Sequence, residues 1–129
     1  MNKQLLYIGS GLGLLLLLVF LVALTGQSKQ PIIVSIPSQE FSEFTKDTTE
    51  FTLLDIRTPQ EFNAGHLPGA FNIDYYDASF KQQLDALDKN KRYIIYCRSG
   101  NRSKGALRIM EELGFREVYE LQEGIATCC

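Results

Sequence analysis

The hydrophobic and polar positions of this chain change character twice. From Leu5 to Leu24 every side chain is uncharged and most are apolar, with unbroken leucine from Leu14 to Leu18. At helical rise such a stretch covers about 30 Å, the depth of a bilayer's hydrocarbon core. A secretory apolar region is commonly shorter, about 7–15 residues, and Ala23-Leu24-Thr25 is a poor small-x-small cleavage site with no lipobox cysteine after it. Residues 1–26 are therefore expected to form a retained transmembrane anchor, with a cleaved signal segment as the alternative. Residues 27–31, polar and ending at Pro31, read as a linker. The region 32–129 then alternates short apolar runs with segments of helical period, and it is expected to be one domain.

Within that domain Ile32-Ile33-Val34 suggests a first strand, and Pro37-Ser38 opens a helix to about Lys46 with Phe41 and Phe44 inward. Phe51 to Ile56 reads as a strand. Thr58-Pro59-Gln60-Glu61 is a capping box with proline at the first helical position, and Gly65 closes the short helix that follows. Ala78 to Leu87 places Phe80, Leu84 and Leu87 on one helical face. Arg92 to Tyr96 reads as a buried strand. Ser103 to Leu113 is an amphipathic helix with Ala106, Leu107, Met110 and Leu113 inward, ended by Gly114-Phe115. Val118 to Leu121 is a last strand. Strands alternating with helices predict an α/β domain with a mostly parallel central sheet flanked by helices.

Composition narrows the function. The 129 residues carry a net charge of −2 without a basic stripe, which argues against nucleic-acid binding. Once the anchor is set aside, about a hundred residues remain, enough for a single core. The three cysteines form no spaced framework. Lys3 and the terminal amine precede the apolar stretch and Lys29 follows it, a slight excess that predicts the domain on the extracytoplasmic, periplasmic side. A cytoplasmic-facing domain and secretion after signal cleavage stay open.

Chemistry concentrates at Cys97-Arg98-Ser99-Gly100-Asn101-Arg102-Ser103, between the strand that ends at Tyr96 and the helix that follows. A helix N-terminus presents unpaired N–H groups and a partial positive charge, and successive loop amides can form an anion-holding nest. Arg98 and Arg102 add full charges. All of these favour the thiolate, which is the nucleophilic form of cysteine. The contrary reading is an inert structural cysteine, but such thiols have apolar neighbours. Cys97 is the candidate catalytic residue, with Arg98 to Ser103 as its substrate-binding loop.

This loop, together with Leu53-Leu54-Asp55-Ile56-Arg57-Thr58-Pro59-Gln60-Glu61-Phe62 and Gly65-His66-Leu67-Pro68-Gly69-Ala70-Phe71-Asn72-Ile73, resembles the rhodanese family of single-domain sulfurtransferases. The similarity runs from roughly Ile33 to Ile125. It implies a rhodanese-like α/β domain that moves a sulfane sulfur from thiosulfate or a similar donor to a thiol or cyanide through a persulfide on Cys97. A protein could also be the sulfur acceptor. No cofactor and no metal is implied. Asp55 and Arg57 fall in the first signature segment and are expected to brace the loop, and His66 is expected to be structural. A membrane-tethered persulfide carrier or interaction module is the alternative. A cysteine phosphatase is disfavoured, because its loop puts one residue more between cysteine and arginine than the four from Arg98 to Asn101. The resemblance weakens at Cys128-Cys129, where family members often continue with an aromatic residue and a further helix. Adjacent Cα atoms are about 3.8 Å apart, short for a disulfide. That pair is expected to lie on a frayed tail without function, the alternatives being to resolve or accept the persulfide or to cross-link two chains.

Overall fold

The computed structural model describes Gly13, Leu16, Leu17 and residues 29–44 and 50–129. The chain divides into two compact units, Met1–Gln30 and Pro31–Cys129. Apart from Gly13, Leu16 and Leu17, the expected membrane segment lies outside the described residues, and among the described residues no helix is long and apolar enough to cross a membrane.

The second unit is built from β1 (Ile32–Ile36), α1 (Ser38–Phe44), β2 (Thr52–Asp55), α2 (Pro59–Ala64), β3 (Phe71–Asn72), α3 (Phe80–Asp85), β4 (Arg92–Tyr96), α4 (Asn101–Glu112), β5 (Glu117–Leu121) and α5 (Ile125–Cys128). The strands form one sheet in the order β1-β5-β4-β2-β3, every neighbouring pair parallel. Parallel strands must be covered on both faces, which is why β2, β4 and β5 read as apolar runs. Side-chain alternation divides the core. Tyr93, Ile95 and Cys97 face a cluster with Leu54, Ala106, Met110, Phe115 and Val118, while Ile94 and Tyr96 face one with Phe41, Leu53, Tyr119 and Leu121.

Local chemistry explains the boundaries. The capping box is formed: Glu61 N–H donates to Thr58 Oγ1 at 3.3 Å, and Thr58 N–H donates to Glu61 Oε2 at 3.0 Å. Helix α3 is shorter than its periodicity suggests, because Asp77 draws the Ser79 amide and hydroxyl into a turn at 2.7 and 2.6 Å. Helix α4 begins two residues earlier than expected, directly after Gly100 in the left-handed conformation (φ 88°). It ends as read: Gly114 takes φ 82°, and Phe115 N–H donates to Met110 O at 3.1 Å. Leu107 and Leu113 are only half-buried against the core.

Two short elements were not foreseen. β3 is a two-residue edge strand, too short to carry a period. α5 gives Ile125–Cys128 helical structure, where a frayed tail is one expectation, and Cys128 and Cys129 are joined there as a vicinal disulfide across a Cα separation of 3.8 Å. The pair is thus bonded to itself, contrary to the expectation from Cα spacing.

Candidate active site

All five strands precede a helix and point their carboxyl ends the same way, and the Cys97 loop lies at that edge, where open α/β sheets bind ligands. The loop is held by the chain around it. Ile125 and Ala126 N–H groups donate to the carbonyl oxygens of Cys97 and Arg98 at 2.9 and 3.1 Å. A side chain at Gly100 would collide with the Gln122 carbonyl, and one at Gly124 would collide with the Arg98 backbone. Both glycines have positive φ, so two conditions that only glycine meets coincide at this crossing.

The carbonyls of Cys97 and Arg98 being so engaged, the sulfur faces donors. Cys97 is a free cysteine, 1% exposed, and Gly100 N–H donates to its Sγ at 3.1 Å. The Ser103 hydroxyl lies 3.5 Å from the same sulfur. Burial pushes the thiol's pKa up, but hydrogen bonds from Ser103 and from the Ser99 and Gly100 amides outweigh it, and the net shift is downward. A buried, apolar cysteine would shift the other way. Arg98, Ser99 and Asn101 are exposed at the mouth of the loop.

Arg102, expected in the substrate-binding loop, has its guanidinium engaged within the protein. Its Nη1 and Nη2 donate to Glu61 Oε2 and Oε1 at 2.7 and 2.8 Å, a bidentate pair between α4 and α2. Its guanidinium also lies 5.5 Å from the ring centre of the exposed Tyr76. The hydrogen bond from Arg102 is the largest influence on Glu61 and brings its carboxyl down to about 2. The capping-box glutamate therefore has a second task, which local spacing did not reveal.

Asp55 and Arg57 are both buried and pair with each other, Arg57 Nη2 donating to Asp55 Oδ2 at 2.6 Å and to the Gly65 carbonyl at 2.7 Å. Asn72 Nδ2 bridges the carbonyls of Asp55 and Arg57 at 2.8 Å each. None of their described hydrogen bonds reaches residues 98–103. They border the loop through Tyr96, the residue before Cys97: Asp55 is its register partner on β2, and the Arg57 guanidinium lies 5.7 Å from its ring centre. His66 is exposed, stacks on Phe62 at 3.7 Å and has Nδ1 3.0 Å from the Phe62 carbonyl.

Sequence reasoning passed over Glu120. It is fully buried, and the Ser103 hydroxyl is 2.5 Å from its Oε1. The available signal was an acidic residue inside an otherwise apolar strand, Val118-Tyr119-Glu120-Leu121.

Comparison with known proteins agrees with this architecture. Residues 38–127 match the Rhodanese-like domain family. Over 94 residues the chain is 32% identical to a sulfurtransferase of Allochromatium vinosum, covering 73% of this chain and 86% of that protein. Among solved structures, a Staphylococcus saprophyticus protein is 30% identical, with a TM-score of 0.62 and coverage of 70% and 88% of the two chains. A rhodanese-related protein from Thermoplasma volcanium is 27% identical, with a TM-score of 0.60 and coverage of 70% and 85%. The chain belongs to the rhodanese-like domain family and is homologous to sulfurtransferases.

Proposed function

We propose that this chain is a sulfurtransferase that carries sulfane sulfur as a persulfide on Cys97. The observation that carries the reading is a buried free thiol whose sulfur meets the Gly100 N–H and the Ser103 hydroxyl, so that its ionised form is favoured. The Cys97 thiolate attacks the outer sulfur of thiosulfate or a similar donor. The donor's S–S bond breaks, its electron pair leaves with sulfite, and a persulfide anion remains on Cys97. A thiol or cyanide then attacks the terminal sulfur, and the electrons of the Cys97–sulfur bond return to the thiolate. No oxidant enters either step, and the two half-reactions are ping-pong. The loop amides stabilise charge on both sulfurs, in the manner of an oxyanion hole.

Arg98, exposed at the mouth, supplies the charge that draws in a dianionic donor. Arg102 reaches that donor only by releasing Glu61, so its resting role is to hold α4 against α2. The test is to incubate the reduced chain with thiosulfate, alone and with cyanide. A mass gain of one sulfur without cyanide and steady thiocyanate formation with it are expected. Failure of both, or phosphate-ester hydrolysis outrunning sulfur transfer, overturns the proposal.

We further propose that residues 5–24 anchor the chain in a membrane with the domain on the extracytoplasmic side, on the strength of the apolar run and its flanking lysines. Alkaline carbonate extraction and protease accessibility test it. A soluble chain that begins near Gly26 defeats the anchor, and a domain protected in intact spheroplasts defeats the orientation.

A further inference from the structure

Two acidic side chains are completely buried among the described residues, and their surroundings differ. Asp55 meets a guanidinium. Glu120 meets a hydroxyl, and its Oε2 has no hydrogen-bond partner. A buried carboxyl without a cation is costly to keep ionised, so its presence on β5 calls for an explanation.

Its position supplies one. Alternation along β5 puts Glu120 on the face of Val118, toward α4, and its register partner on β4 is Ile95. Cys97 follows Ile95 on that same face, and Ser103, in the first turn of α4, joins the two. The Ser103 oxygen lies 2.5 Å from Glu120 Oε1, 3.0 Å from the Gly100 carbonyl and 3.5 Å from Cys97 Sγ. A serine hydroxyl has one proton, and three acceptors compete for it here. If it goes to Glu120 or to Gly100, Ser103 turns only lone pairs toward Cys97. The remaining neighbours offer no substitute: β1 places Ser35 opposite Glu120 in register, and no lysine, arginine or histidine pairs with the carboxyl among the described residues.

We propose that Glu120 is a positioning residue that holds a proton and donates it to Ser103, so that the hydroxyl of Ser103 is turned onto the Cys97 thiolate. The inference rests on the reading of Cys97 as the nucleophile. When Cys97 ionises, its S–H bond breaks and the proton passes to water; the Ser103 O–H then donates to the sulfur and the Glu120 O–H donates to Ser103, and neither of those two bonds breaks. No electrons are exchanged, and the negative charge forms on a sulfur that already receives the Gly100 N–H.

The test reads Cys97 itself rather than sulfur transfer. The full reduced chain is treated with iodoacetamide across a pH series, and modification at Cys97 is followed by peptide mass spectrometry. Glu120→Gln retains a donor for Ser103 and is expected to react within about twofold of the wild type. Glu120→Met, of similar length but without a donor, should react about five- to tenfold more slowly at neutral pH, with its midpoint moved upward by up to about one pH unit. Ser103→Ala should show the same loss, and Ser103→Ala/Glu120→Met no more than either alone, because both act through one hydrogen bond. Glu120→Leu substitutes if the methionine variant does not fold.

Wild-type reactivity in Glu120→Met, additive losses in the double variant, or a Glu120→Gln as slow as Glu120→Met each overturns the proposal. Thiocyanate formation is measured in parallel on the wild type. Its absence beside the expected alkylation pattern supports the role of Glu120 and defeats the sulfurtransferase reading, so the two failures are distinct.

Discussion

Cys97 and Cys128 are both tied to α5, one through its carbonyl and the other as a member of the helix, yet their sulfurs meet opposite surroundings. Cys97 Sγ receives the Gly100 N–H, lies beside the Ser103 hydroxyl and sits before the first turn of a twelve-residue helix. Cys128 is bonded to Cys129, and the two border an apolar cavity of about 310 Å³ with Phe41, Leu53, Leu67 and Pro68. Among the described residues no hydrogen bond ends on either of their sulfurs. A thiolate is worth having only where its charge is received, and the backbone of residues 97–103 is arranged to receive it. The loop's shape comes in turn from the chain end, since α5 binds the Cys97 and Arg98 carbonyls from behind. The segment that holds the disulfide thus shapes the loop that holds the free thiol.

The comparison breaks most sharply at the cysteines. Cys97→Ser should abolish both thiosulfate-dependent mass gain and thiocyanate formation, a loss of at least about 10³-fold, because a hydroxyl is not ionised at neutral pH. Cys128→Ser/Cys129→Ser should leave the first sulfur transfer within about twofold of the wild type, since no donor to Cys97 comes from either side chain. Thiocyanate formation that survives in Cys97→Ser, or disappears in the double variant, reverses the assignment.

The next effect tests whether the chain end shapes the loop. Gly100→Ala and Gly124→Ala each insert a methyl group against backbone, at Gln122 and at Arg98, and each forces a side chain into positive φ. Each should cost about 2–4 kcal/mol of stability by denaturant unfolding and lower kcat more than KM is raised, because the amides that receive charge are displaced. Gly114→Ala, at positive φ but in open space, should cost only about 1 kcal/mol and leave kcat unchanged. Equal losses at Gly100 and Gly114 would mean that the crossing matters for folding alone.

Much of this was legible because the relevant signals are local. The run from Arg92 to Ser103 contains a buried strand, a tight turn and a helix start within a few residues, and the resemblance on Cys97 and Asp55 leads to the fold now found. The capping box at Thr58 and the Gly114-Phe115 stop are equally local. What stayed hidden depends on chain folding over distance. Glu61 was read as a cap, and its second partner, Arg102, lies 41 residues away. Glu120 lay in a strand already read as apolar, and only the parallel register with β4 puts it behind Ser103. α5 is four residues long, too short for periodicity to detect.

A smaller effect is expected at Arg102. With its fork on Glu61, Arg102→Ala removes both a link between α2 and α4 and a charge near the loop. We expect kcat/KM for thiosulfate to fall by about tenfold, mostly through KM, and Arg102→Lys to recover part of it, as a point charge cannot copy the bidentate pair. Glu61→Gln sharpens the result, because it frees the fork without deleting it. If the pair restrains Arg102 from the donor, KM should fall in Glu61→Gln. If Arg102 acts only as a brace, KM should rise in both variants.

The smallest effect is a pH signature of that same pair, and its sign follows from the direction of the shift. The hydrogen bond from Arg102, with those from Thr58, brings Glu61 from about 4.5 down to about 2 in the folded chain. A carboxyl depressed on folding stabilises the fold above its unfolded value and loses that contribution as pH falls through the folded one. The stability difference between wild type and Glu61→Gln should therefore be constant above about pH 5.5, shrink between about pH 4.5 and 2, and vanish below that range. Because Glu61 is 29% exposed, solvent screens the pair, and the plateau should be about 1 kcal/mol rather than the larger figure the full shift implies. Cys97→Ser should leave this acid transition where it is, since its sulfur makes no hydrogen bond to Glu61. Urea unfolding of wild type, Glu61→Gln and Cys97→Ser at a series of pH values measures all three, and a pH-independent difference for Glu61→Gln would show that its side chain contributes packing, not charge, to the join between α2 and α4.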